Sequence, residues 1–173
     1  MSLILVLGGT RSGKSVFAEI LATDAGAERV LYVATAMNTG NDAELDCRVR
    51  EHCERRPAEW GTFELGGGEL GSVLEEGNGW DVVLFDSLTM WAAARMSGAE
   101  QDRTVNEFED FVREVESGSG TFIVVSDEVG LGVVPESAEG REFRDLLGLL
   151  NQRAASSASE VYLCVAGVPM RLK

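Results

Sequence analysis

Gly8-Gly9-Thr10-Arg11-Ser12-Gly13-Lys14-Ser15 follows the apolar run Leu3-Ile4-Leu5-Val6-Leu7 and precedes an amphipathic stretch reaching Thr23. The octet spells G-x-x-x-x-G-K-S, the phosphate loop of nucleotide-handling proteins. Its glycines let the backbone turn several N–H groups toward phosphate oxygens. Lys14 is placed to bridge the β and γ phosphates, and the Ser15 hydroxyl to ligate Mg²⁺. A helix starting at Ser15 points its positive end at the same anion. A buried strand before the loop and a helix after it are the context this motif requires.

Further short, β-branched runs lie at Val30–Ala34, Val82–Phe85, Thr121–Val125 and Val161–Val165. Each is bounded by glycine or polar residues and reads as a buried strand of a mostly parallel sheet. Helix-period segments are expected at 15–23, 41–55, 88–96, 101–117 and 139–157. Alternation of the two predicts a single α/β domain over residues 1–173, three layers deep. Gly66–Gly68 and Glu75–Gly79 read as surface connections, and Ser117–Gly120 as a turn before a strand.

The chain has 173 residues and a formal net charge of −14, from 29 acidic and 15 basic side chains. That balance argues against a nucleic-acid partner, which needs a clustered positive surface. It leaves anion binding to local arginines and Mg²⁺. No apolar run is long enough for a membrane span and the N-terminus lacks a signal-peptide layout, so a cytoplasmic enzyme is expected. Cys47, Cys53 and Cys164 are an odd set that gives no disulfide framework. A metal site from Cys47, His52 and Cys53 lacks a C-x-x-C pair and is disfavoured.

Two places carry further chemistry. Asp86 closes the run Val82–Phe85, where phosphate-loop proteins hold Mg²⁺ or its water, although Asp86 and Ser87 also suit a helix N-cap. In a helix over 41–55, Leu45 and Val49 form an apolar stripe, and Arg48, His52 and Arg55 or Arg56 share a neighbouring face. His52 is the single histidine. Its ordinary pKa of about 6.5 leaves it largely neutral at pH 7, competent to attack an α-phosphorus and expel pyrophosphate. A solvated helix face accounts for the same pattern without chemistry.

With these residues in view, the chain resembles the bifunctional adenosylcobinamide kinase/adenosylcobinamide-phosphate guanylyltransferase family of cobalamin biosynthesis. The likeness covers the opening loop, the strand end Tyr32 to Ala36, and the set Arg48, His52, Arg56, Pro57, Trp60 and Glu64. It continues through Asp86 to Trp91, Glu128 to Pro135, and Arg141 to Gln152. The resemblance implies a RecA-like sheet assembled as a homotrimer. It implies that ATP or GTP phosphorylates adenosylcobinamide, and that His52 then carries GMP from GTP to adenosylcobinamide phosphate. Nucleotide contacts are implied at Ala34, Thr35 and Ala36, at Cys53, Glu54, Arg55 and Arg56, and at Glu64 and Asp86.

Asp127 departs from the family pattern, which carries asparagine there. The added charge falls close to the expected phosphate or corrinoid site, where it either weakens substrate binding or is a solvated loop variant. Glu128 suits a general base, a metal-shell ligand or a loop-shaping acceptor, and no step is assigned to it. A regulatory GTPase is disfavoured because Asn-Lys-x-Asp is absent. A small-molecule kinase without guanylyl transfer, with His52 structural, remains the alternative.

Overall fold

The computed structural model describes residues 2–36, 43–96 and 101–173. Strands β1 (Ser2–Gly8), β2 (Val30–Ala34), β3 (Gly61–Glu64), β4 (Val82–Asp86), β5 (Thr121–Asp127) and β6 (Glu160–Val165) run parallel. A last strand, β7 (Val168–Arg171), returns antiparallel along β6. Their order across the sheet is β3-β2-β4-β5-β1-β6-β7. The strand that feeds the phosphate loop is therefore flanked by β5 and β6, and Asp127 and Cys164 stand abreast of Gly8.

Alternation along the strands sorts the core into two layers. Leu3 and Leu5, Val83 and Phe85, and Phe122 and Val124 project to one face. There they meet α3 (Gly71–Gly77), α4 (Leu88–Arg95), α5 (Gln101–Ser117) and α6 (Ala138–Ser157) through Val73, Trp91, Phe108, Phe111 and Leu150. Val6, Val82, Leu84, Ile123 and Val125 project to the other face, against Ala18 and Ala22 of α1 (Lys14–Asp24). Small residues on α1 allow close approach to the sheet, which fixes the loop at its N-terminus. Among the described residues, none from α2 (Ala43–Arg55) joins either cluster. Its described ties to the rest of the chain include the polar contacts of His52 with Asp86 and Arg55 with Glu19.

All five predicted strands and all five predicted helices are present, with ends displaced by at most two residues among those described. The first two positions of the predicted 41–55 helix, and the side chains of Leu45 and Arg48, lie outside the described residues. Three elements were not expected. Glu75 to Gly77, read as a connection, close α3, whose Val73 and Gly77 are buried. A Cβ on Gly77 would stand 3.1 Å from Val83 Cγ2, so glycine lets this short helix lie close to the sheet. The four-residue edge strand β3 sits inside a segment read only for its polar signature. β7 follows a two-residue turn in which Ala166 and Gly167 both have positive φ, 52° and 81°, the geometry that suits a tight hairpin.

Candidate active site

The phosphate loop leaves β1 and enters α1 as its sequence requires. Gly13 adopts φ 90° at the helix N-cap, and its carbonyl accepts from Phe17 N–H at 2.9 Å. A Cβ on Gly13 would press on the Gly167 backbone at 3.1 Å. Gly8 is equally constrained, since a Cβ there would run into Ser12 Oγ and the Cys164 carbonyl. Gly167 N–H donates to the Ser12 carbonyl at 2.9 Å, tying the loop to the β6–β7 turn. Lys14 Nζ reaches back to the Gly9 carbonyl at 3.3 Å and stands 2.6 Å from Asp127 Oδ1.

Loop and helix enclose a cavity of about 320 Å³ lined by residues of the loop from Thr10 to Val16, by Glu51, His52 and Arg55 of α2, and by Asp127. His52 Nδ1 faces Asp86 Oδ2 at 3.6 Å and Arg55 Nη2 at 3.3 Å. Arg55 is in turn held by both oxygens of Glu19, at 3.0 and 3.2 Å, which clamps α2 onto α1. Burial pushes the His52 imidazole below its ordinary pKa. Arg55 and Arg56 push the same way, while Asp86 and Glu19 oppose them. The ring is thereby kept neutral at pH 7, with Nε2 free of these contacts.

Behind His52 lies a polar stack. Tyr32, 2% exposed, donates its hydroxyl to Asp86 Oδ2 at 2.8 Å. The Arg56 guanidinium lies 3.4 Å above the Tyr32 ring, a cation–π contact that needs no water. Burial, and then Asp86, hold the phenol far above its ordinary range. Asp86 is not the helix cap: Ser87 Oγ accepts from Met90 N–H at 3.3 Å and serves that role.

The residues implied by resemblance separate into groups. Gly9 to Ser15, His52 and Arg55 converge on the loop and cavity. Ala34, Glu64 and Asp86 lie abreast at the carboxyl ends of β2, β3 and β4, where ligands bind open α/β sheets. Thr35 is fully buried, and its hydroxyl is engaged twice by the Ser87 peptide, at 2.8 and 2.6 Å. Its neighbour Ala36 is half-buried. Cys53 and Glu54 are exposed on α2 and do not line the cavity. Glu128 Oε1 accepts from Gly130 N–H at 2.7 Å, the loop-shaping role. Sequence reasoning missed Tyr32, Glu19 and Glu51. Tyr32 reads as one more apolar strand residue, and the two glutamates as solvated helix positions.

A phosphate loop on the strand beside β5, with an acidic residue ending β4, defines a RecA-like phosphate-loop nucleotide-binding protein. Solved structures agree. A KaiC-like protein from Pyrococcus horikoshii matches with TM-score 0.53 and 14% identity, over 94% of this chain and 70% of that one. The RadB recombinase matches with TM-score 0.53 and 17% identity, over 94% and 73%. These likenesses concern the fold alone.

The family model described as cobinamide kinase / cobinamide phosphate guanyltransferase matches residues 4–172, and the chain belongs to that family. It is 38% identical to the Pseudomonas aeruginosa bifunctional adenosylcobalamin biosynthesis protein CobP, over 98% of this chain and 96% of that protein. It is 34% identical to CobU of Salmonella typhimurium and 33% identical to CobU of Escherichia coli, over 99% of each chain. The protein is thus an enzyme with cobinamide kinase and cobinamide phosphate guanylyltransferase activities.

Proposed function

We propose that the one loop serves both transfers, with adenosylcobinamide as first acceptor, adenosylcobinamide phosphate as second, and His52 as the group that carries GMP. The observation that carries this reading is the placement of His52 on the wall of the phosphate cavity, beside Lys14, Ser15 and Arg55. In the tautomer that reacts, Nδ1–H is donated to Asp86 and the Arg55 contact to Nδ1 is given up, so that Nε2 offers its lone pair to the α-phosphorus of GTP. The N–P bond forms as the bond to the bridging oxygen breaks, and pyrophosphate leaves with that electron pair. The phosphate of the acceptor then attacks the same phosphorus, the N–P bond breaks, and His52 is restored. In the kinase half, the substrate hydroxyl attacks the γ-phosphorus and releases its proton to solvent as the bond to the β,γ-bridging oxygen breaks, while Lys14 and the loop N–H groups hold the departing nucleoside diphosphate.

Mg²⁺ is part of this proposal. Among the described residues no group of three or more His, Cys, Asp or Glu is arranged to hold a metal ion. Ser15 and Asp86 nevertheless offer the hard oxygen donors Mg²⁺ takes, with nucleotide phosphates and water completing the shell. When bound, the ion neutralises phosphate charge. No described helix is long and apolar enough to cross a membrane. A cytoplasmic setting, with free thiols, and a homotrimer belong to the same reading. Exposed Val165, Val168, Met170 and Leu172 on the last hairpin supply apolar surface for assembly.

The test is incubation with Mg²⁺ and GTP labelled at the α-phosphate, then denaturation. Acid-labile, alkali-stable label mapping to His52, and lost in His52→Ala, is expected. Retained guanylyl transfer in His52→Ala refutes the covalent route. Absent label on protein that binds GTP and still phosphorylates cobinamide leaves a kinase.

A further inference from the structure

Two of the cations lining the phosphate cavity are already paired within the chain. Arg55 is taken by Glu19, and Lys14 by Asp127 at 2.6 Å, with the two side chains of the second pair 13% and 22% exposed. Asp127 is fixed from both sides of its backbone. Its N–H donates to Thr89 Oγ1 at 2.8 Å, and its carbonyl accepts from Asn151 Nδ2 at 3.0 Å. Strand register places it abreast of Gly8, where the loop begins. The backbone of Asp127 is therefore anchored, and its carboxylate pairs with the ammonium that a phosphate oxygen must reach.

A phosphate can engage Lys14 only by displacing Asp127 or by sharing the ammonium with it. In both cases the anchored backbone keeps the negative charge close to the ligand, in a partly desolvated place where charges interact strongly. Glu51 adds a second carboxylate to the lining. The net charge of −14 adds repulsion of the same sign at longer range. A metal-free triphosphate meets this field unshielded. The magnesium complex arrives with much of its charge neutralised and with a cation that the carboxylate attracts.

We infer that Asp127 is a specificity determinant of the nucleotide-binding step, making the loop accept the triphosphate as its magnesium complex and turn away the metal-free anion. The inference rests on the loop being the nucleotide site proposed above. It adds a role for a residue that neither transfer step uses.

The probe is the α,β-methylene analogue of GTP, which cannot pass its nucleotidyl group to a histidine. Its affinity is measured by titration calorimetry with excess Mg²⁺ and, separately, with EDTA, for the wild type and for Asp127→Asn. Asparagine keeps the shape of the side chain and leaves the backbone bonds to Thr89 and Asn151. Asp127→Ala serves as a second variant, and a thermal melt verifies that each is folded. In Asp127→Asn, metal-free affinity is expected to rise about tenfold and that of the magnesium complex by less than about threefold. A parallel rise of both affinities would show that Asp127 only competes for Lys14, and would overturn the inference. Unchanged affinities overturn it as well. A wild type that binds neither form refutes the nucleotide site itself, a result distinct from these two.

Discussion

Tyr32→Phe removes one oxygen from a buried ring and tests whether the polar stack behind His52 is an energetic unit. The hydroxyl donates to Asp86 Oδ2 at 2.8 Å, and the Asp86 side chain is only 8% exposed, so water cannot readily replace the lost donor. A hydrogen bond to a charged acceptor is worth about 1.5–3 kcal/mol. The aromatic ring and its stack under Arg56, at 3.4 Å, remain in the variant. A loss of about 2 kcal/mol is therefore expected, a drop of about 4–8 °C in Tm for a domain of this size. Urea unfolding at pH 7 of the wild type, Tyr32→Phe, Asp86→Asn and the double variant gives the coupling directly. It should be about 1 kcal/mol or more. The pH dependence has a definite sign. Because the folded state holds the phenol far above its ordinary range, the stabilisation is complete below about pH 10 and is lost as the unfolded phenol ionises above it. A loss below about 0.5 kcal/mol at pH 7, or strict additivity in the double variant, refutes the stack as a unit.

The rate of His52 labelling by GTP should stay level as pH falls from 8 toward the ordinary imidazole value of about 6.5 and decline only below it, because burial holds the ring neutral. A decline that begins above that value would mean that Asp86 outweighs burial; stopped-time labelling across pH measures it. Lys14→Ala should abolish both phosphorylation and guanylyl transfer, and intact guanylyl transfer would contradict a shared triphosphate site. Gly120→Ala should cost about 2 kcal/mol or more in urea unfolding. Gly120 has φ 96°, and a Cβ there would stand 2.8 Å from the Asp81 carbonyl. A cost below about 0.5 kcal/mol would show that this turn relaxes freely.

The parts of the fold legible in sequence were those where period and burial coincide. Parallel strands covered on both faces, such as Val82–Phe85 and Phe122–Val125, are continuous apolar runs bounded by turns. The edge strands lack that signal. β3 alternates between half-buried and exposed over four residues, and all of β7 is exposed. Neither carries enough apolar burial to mark itself, and both are fixed by neighbours. β3 is registered by β2, and β7 by the turn at Ala166 and Gly167. α3 failed for a related reason. Seven residues with glycine at both ends are too few to display a helical period, and the helix is kept by Val73 and the adjoining Leu70 packing into the core.

The site divides along the same physical line. The loop was legible because backbone geometry dictates its residues, and Gly13 at φ 90° is an instance that sequence displays openly. The groups that tune the chemistry were hidden because they act through contacts between distant segments. Glu19 meets Arg55 across 36 positions, and Tyr32 meets Asp86 across 54. The second meeting follows from sheet register, which sets Tyr32 beside Leu84 and brings the ends of β2 and β4 together. Among the described residues, three contacts anchor His52 and its neighbours Arg55 and Arg56: the Glu19 fork, the Asp86 carboxylate and the Tyr32 ring. Such anchors are individually weak and interdependent. Loosening any one should therefore impair guanylyl transfer more than phosphorylation if the γ-phosphate is bound as proposed, by the loop on α1, which is packed into the sheet by Ala18 and Ala22.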